Sequence, residues 1–431
     1  MIEARKGMNK WQYTYYVLLL LIMLFLGKIY TGEPPMVLRL AFLAALFVVP
    51  IKSGLTLLPA ILTCFFIVSD KGIGYNILPS DYLLYCIPLL LFALISIKNR
   101  TGTFVVPKIV VIICTYSLII NYVSSGVIQN LSYSCLVLIC YVIISDTELN
   151  VNYKTAAIFL ALTSIALSIS FIYSGSEYTT AYMTSGFERT GWTDPNYFST
   201  TIGFSVLVSI AMLLSQKNNI LETILFVANI IVSIIVMVLV ASRGGILSLA
   251  AGISVLLFFS KIKLKYKILS VILLTAFVIY LFNNDYFALL QYRIEREEGE
   301  GSGRTIIWEN KLSKFFDSSP ITWIFGMGYW NGTYLGGNTT NYSCIHNDYI
   351  AYLVCYGVIG LVLYILMLIY PIRNSNKKHY LFPVVVSSVV YLAITGFTLE
   401  PLSSGMLGYF CFYFYILLLM QFSRAKGLEH K

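Results

Sequence analysis

Charge is what this sequence has least of. Only 11% of its 431 residues are Asp, Glu, Lys or Arg, against 58% from the hydrophobic set. An ordinary soluble domain carries about 25% charged and about 45–50% apolar residues. A chain so composed cannot hide its apolar surface inside one or two water-soluble cores, which excludes a soluble enzyme. Disorder is excluded as well, because it needs low hydrophobicity and dense charge. Histidine is scarce, three residues in all, and no spacing of Cys and His suits a metal ion. No glycine-rich phosphate loop, internal repeat, heptad array or low-complexity linker occurs. No small-residue cleavage site follows the first apolar run, so that run is expected to stay as a helix rather than be removed as a signal peptide. Disulfides are not expected either. Seven of the eight cysteines (Cys64, Cys86, Cys114, Cys135, Cys140, Cys355, Cys411) fall inside apolar runs, and Cys344 has no evident partner.

What the sequence does have is apolar length. A helix needs about 20 mostly apolar residues to cross a hydrocarbon core about 30 Å thick. Fourteen runs approach that, near residues 11–27, 35–50, 53–69, 80–97, 104–121, 126–145, 155–173, 197–215, 220–241, 244–260, 266–282, 348–370, 381–398 and 403–422. The second and third are short and carry Arg39 and Pro59, so the expected count is about 14, within 12–14. The net charge of +9 then has a topological use. With the amino terminus inside, 19 of the 29 basic residues fall in cytoplasmic segments, where lysine and arginine fix orientation. The run Lys261-Ile-Lys-Leu-Lys-Tyr-Lys267 is the strongest single anchor. The expected organisation is a membrane bundle over 1–282 with a medium outer loop at 174–196. A long outer loop follows at 283–347, then carboxy-terminal spans and a short cytoplasmic tail over 348–431.

A 65-residue loop is long enough to build structure of its own, and loops of that length are usually functional. Within it, Gly301-Ser-Gly-Arg304 leads into a helical pattern where Arg304, Trp308, Lys311 and Phe315 share one face. The expectation is a helix at the membrane surface with Trp308 and Phe315 in the interface, its amino terminus and Arg304 together favouring a phosphate. The plainer alternative is an interfacial anchor whose arginine reaches to water.

Arg243, in Ala241-Ser-Arg-Gly-Gly245, lies where one apolar run meets the next. A charge so close to hydrocarbon is costly without a partner, and the sequence sets no carboxylate beside it, which favours an anionic ligand. A span-end arginine reaching headgroups is the alternative. Arg189 has Glu188 and Asp194 nearby in the chain and is a weaker candidate. His346, in Cys344-Ile-His-Asn-Asp348, stands at the outer mouth of a span. An imidazole titrating near about 6.5 can take a hydroxyl proton at neutral pH. The alternative is a helix cap formed with Asn347 and Asp348. Arg243, Arg304 and His346 are all expected on one side of the membrane.

At these residues the chain resembles the O-antigen ligase and polymerase family of bacterial envelope proteins. The likeness covers about 185–370: Arg189-Thr-Gly with Asp194-Pro-Asn196; Ala241-Ser-Arg-Gly-Gly245; Gly303-Arg304 with Trp308; Phe325-Gly-Met-Gly328; and His346-Asn347 with Gly357 and Gly360. The resemblance implies an all-α integral membrane protein with the GT-C-like fold and one long external loop carrying short helices. It implies a metal-independent glycosyltransferase of the inner membrane, acting on the periplasmic or extracellular side and using no cofactor. Its donor would be a glycan on undecaprenyl diphosphate. Its acceptor would be a sugar hydroxyl, on another lipid-linked repeat unit for a polymerase or on lipid A-core for a ligase. Polymerisation of O-antigen, capsule or exopolysaccharide units is the leading expectation. By the family's motif, Arg243 and Arg304 hold the diphosphate and His346 deprotonates the acceptor, with Arg189, Asn196, Asn347 and Asp348 in support. The implied partners, besides the bilayer, are chain-length regulator and flippase proteins, and no nucleic acid.

Two readings from other classes compete. A lipid-linked-oligosaccharide transporter or flippase would show ionisable residues near the midplane and broken helices repeated in two halves. A metal-dependent oligosaccharyltransferase would use Glu295, Glu297, Glu298 and Glu300 as cation ligands, although they read as a solvated helix face.

Overall fold

A computed structural model describes residues 107–125, 153–174, 195–215, 218–240, 242–261, 304–334, 345–399 and 407–425, with isolated positions besides. Among the described residues the regular structure is wholly helical. Eleven helices are described: α1 (Lys108–Ser125), α2 (Tyr153–Ser174), α3 (Pro195–Ser215), α4 (Ile220–Val240), α5 (Arg243–Phe259), α6 (Arg304–Phe316), α7 (Pro320–Phe325), α8 (Tyr329–Tyr334), α9 (Asp348–Asn374), α10 (Phe382–Thr398) and α11 (Leu407–Ala425). Three stretches are long and apolar enough to cross a membrane by themselves: Asn196–Ser215, Ile220–Val240 and Asp348–Asn374. Shorter apolar helices occupy Lys108–Ser124, Ala156–Ile169, Arg243–Phe259 and Phe382–Thr398. This is the architecture of an all-helical membrane protein, in which every backbone polar group must find its partner inside its own segment. The expected spans near 11–27, 35–50, 53–69, 80–97, 126–145 and 266–282 lie, but for isolated positions, outside the described residues.

Small and polar side chains hold the helices together, as expected where lipid gives no hydrophobic drive between them. Asn229 of α4 donates to Ser205 Oγ at 3.1 Å and Ser209 Oγ at 2.9 Å on α3. Its own Oδ1 accepts from Ser233, which also meets Ser164 of α2 at 2.9 Å. All of these residues are fully buried. α5 packs along α10 in the opposite direction. Gly244 lies against Thr398 at one end, Ser248 meets Thr395 at 3.1 Å, and Phe259 meets Phe382 edge-on at the other end.

The helix directions divide the bundle into two ends. Lys154 opens α2 and bridges to Glu222 at 2.6 Å, while Tyr153 shares a hydrogen bond with Tyr380 just before α10. Asn376, after α9, donates its N–H to Ser423 beside Arg424. Lys154, Lys261, Arg373, Lys377, Lys378 and Arg424 therefore collect at one end. The starts of α3, α5 and α9 and the end of α10 collect at the other.

The short helices from the long loop do not stand apart. α7 and α8 lie against α9 and α1, and α6 reaches α9. Their anchor is a break in α9 at Gly357, whose backbone has φ of +67°. A break frees the carbonyls of the turn before it, and each must be met elsewhere. Met327 N–H bonds Val354 O at 3.1 Å, Gly328 N–H bonds Cys355 O at 2.8 Å, and Tyr116 OH of α1 bonds Tyr356 O at 2.9 Å. A Cβ on Gly357 would collide with the carbonyl of Ile324. The Gly-Met-Gly turn and the glycine of α9 are thus two halves of one joint.

Candidate functional site at the end of α10

The site is built around three successive carbonyls. As α10 ends, its last C=O groups lack helical partners and offer themselves to neighbours. Phe397 O accepts Asn347 Nδ2 at 3.2 Å, Thr398 O accepts Arg304 Nη1 at 2.8 Å, and Leu399 O accepts Asp348 N–H at 3.0 Å. A cation at a helix carboxy terminus meets the negative end of its dipole, so Arg304 is held there favourably. Its guanidinium has five N–H donors, and this contact uses one of them.

The start of α5, where Arg243 stands, reaches the same place from another element. Arg243 is the first residue of α5 and is exposed. Ser242 caps the helix, accepting Gly245 N–H at 3.3 Å, and donates to Asn196 Oδ1 at 3.0 Å. That bond ties the first turn of α3 to the start of α5. Next to Arg243, Gly244 is buried so tightly that an added Cβ would stand 2.7 Å from Thr398 Oγ1. A cation and a helix amino terminus are both positive, a pairing that an anion would relieve.

His346 lies between two fastened neighbours. Ile345 O accepts the Trp308 indole N–H at 2.8 Å. Asn347 caps α9 through Ile350 N–H at 3.1 Å. Asp348 is fully buried, its Oδ2 accepting from Tyr364 OH and Leu402 N–H, each at 3.2 Å. His346 itself is half-buried with φ of +54°, the one non-glycine residue at positive φ among those described. Such a conformation persists only where surroundings impose it, and it recurs at functional sites. The capping role read from the sequence falls to Asn347 alone, since the histidine precedes the cap.

The structure therefore brings Arg243, Arg304, His346, Asn196, Asn347 and Asp348 to one end of the bundle: Arg304, Asn347 and Asp348 bond the 397–399 carbonyls, Arg243 and His346 are the chain neighbours of Gly244 and Asn347, and Asn196 joins through Ser242. Arg189 lies outside the described residues. One expectation is corrected. Arg304, Trp308, Lys311 and Phe315 do share a face of α6, but it turns inward: Lys311 and Phe315 are buried. Lys311 Nζ donates to Gly332 O at 3.4 Å and to Thr333 O, bracing α8. A buried lysine needs such acceptors, which an interfacial placement would not supply. No motif marks Thr398 or Leu399, because their contribution is backbone. Lys311 was signalled by its spacing alone. Among the described residues, no group of three or more His, Cys, Asp or Glu stands together as a metal site.

Residues 228–365 match the family model described as O-antigen ligase. The matched stretch begins inside α4 and ends inside α9, so it takes in Arg243, Arg304, His346 and the joint at Gly357. No curated protein matches the chain. The resemblance seen in the motifs agrees with this match, which makes residues 228–365 similar to the O-antigen ligase family.

Proposed function

From that match we propose that the protein is a metal-independent membrane glycosyltransferase. It moves glycan from undecaprenyl diphosphate to a sugar hydroxyl, and its leading reaction is polymerisation of lipid-linked O-antigen, capsule or exopolysaccharide repeat units. About 14 spans carry the site at the outer face of the inner membrane. The observation that supports this best is that Arg304 and the residues next to Arg243 and His346, distant in sequence, meet at the end of α10.

In this reading Arg243, Arg304 and the start of α5 hold the diphosphate. As the glycosidic bond to the diphosphate breaks, charge grows on the leaving phosphate. Arg304, held on Thr398 O, and Arg243, at the start of α5 that Ser242 caps, stabilise it. His346 takes the proton of the acceptor hydroxyl as its oxygen bonds to the sugar carbon. Asn347 and Asp348 hold the histidine's backbone, and Asn196 holds the start of α5.

A second reading, transfer to lipid A-core, is favoured by the match of residues 228–365 to the O-antigen ligase family model. Deletion of the gene tests both. Surface glycan reduced to single repeats supports the polymerase. Absent surface glycan with accumulated lipid-linked polymer supports the ligase, and unchanged surface glycan rejects both.

A further inference from the structure

We infer that α7 and α8 form a membrane-immersed hairpin, seated in the hydrocarbon of the leaflet at the site end of the bundle. No Asp, Glu, Lys or Arg occurs from Ser318 to Ile345, a 28-residue stretch within a loop otherwise rich in charge. The described part of that stretch exposes bulky apolar side chains: Ile321 at 71%, with Trp323, Ile324, Phe325 and Trp330 also open. A patch of this kind facing water would be a liability.

Its depth is set by the joint to α9. The turn at 326–328 bonds the carbonyls freed at Gly357, nine residues along α9 from Asp348, or about 14 Å at 1.5 Å per residue. Membrane-length α9 is apolar on both sides of that point. On the other flank, Tyr329 N–H bonds Asn121 Oδ1 at 2.7 Å and Asn331 Nδ2 bonds Ser124 O at 3.1 Å, both on α1. α1 leaves Ile119, Tyr122 and Val123 exposed beside this contact, so the patch continues the outer face of an apolar helix. That continuity favours acyl chains over a second protein as the occupant.

The polar groups of the hairpin are arranged to suit hydrocarbon. Trp323 sends its indole N–H inward to Phe315 O at 3.0 Å, its ring edge-on to Phe316 and partly open to lipid. Ser319 caps α7, and Gly326 N–H closes it on Thr322 O at 2.7 Å. In a bilayer such satisfaction is obligatory. The membrane anchor of the long loop is therefore α7–α8, while α6 is bound to protein. The inference is independent of the chemistry at Arg304.

Wild-type protein in liposomes containing a phospholipid with a diazirine on its acyl chain tests this directly. Irradiation should place adducts on peptides covering 320–334 and leave 309–314 unlabelled. A second measurement uses a fluorophore on Ile321→Cys, with Ser313→Cys as the aqueous control, each in the full chain. The 321 probe should be quenched by nitroxide acyl chains and spared by iodide, and the 313 probe the reverse. Iodide quenching at 321 equal to that at 313 overturns the inference. So does a 321 probe shielded from both quenchers, which would mean a second copy covers the face.

Discussion

At the scale of residues, the arginines and the histidine should fail in different ways. If Arg243 and Arg304 hold a diphosphate, lysine replaces their charge but not the planar fork, so Arg→Lys should restore activity only in part. Loss of one such contact should cost about 2.7–4 kcal/mol of transition-state stabilisation, a hundredfold or more in turnover. His346→Ala should lower turnover about a hundred- to ten-thousandfold while donor binding persists. Its backbone adds a control, because φ of +54° suits glycine better than alanine. His346→Gly should therefore be as inactive as His346→Ala yet unfold at a higher temperature. If the glycine variant keeps near-normal turnover, the histidine has no catalytic part.

At the scale of elements, the joint between the 326–328 turn and α9 is the point of greatest sensitivity. Gly357→Ala meets both a positive φ and the Ile324 carbonyl. It should destabilise the protein by about 1–3 kcal/mol, read as a lower midpoint of thermal unfolding in detergent. Asn347→Ala loses a cap worth about 1 kcal/mol and also the bond to Phe397 O. It should lower turnover as well as stability, because His346 loses its fastening. Much of this element-level structure was legible beforehand. Apolar length found α3, α4 and α9, since lipid leaves a chain little choice but helix. The shared face of α6 was legible from spacing alone. Its direction was not, because Lys311 reads as a solvent residue until Gly332 and Thr333 are brought beneath it. The hub at α10 was hidden for another reason: Phe397, Thr398 and Leu399 act through carbonyls, which every residue has.

At the scale of the whole molecule, the cluster of Lys154, Lys261, Arg373, Lys377, Lys378 and Arg424 and the candidate site occupy opposite ends of the described bundle. The charge rule assigns the basic end to the cytoplasm. Ser313→Cys should then react with an impermeant thiol reagent from the outer side, and Lys263→Cys only after the membrane is permeabilised. The reverse pattern would put the site where no lipid-linked donor is presented from outside. A site built from guanidinium and imidazole groups should also keep its activity in EDTA, and loss of turnover restored by a divalent cation would contradict a metal-independent mechanism.

The most direct measurement of the central claim is turnover by purified protein in liposomes supplied only with undecaprenyl-diphosphate-linked glycan. The account predicts longer lipid-linked glycan with release of undecaprenyl diphosphate, in the absence of ATP and nucleotide sugar, and its near-complete loss in His346→Ala. With lipid A-core added, transfer to that acceptor would mark the ligase form of the same reaction. An absolute requirement for ATP or nucleotide sugar, or movement of the donor across the bilayer with no new glycosidic bond, would contradict it.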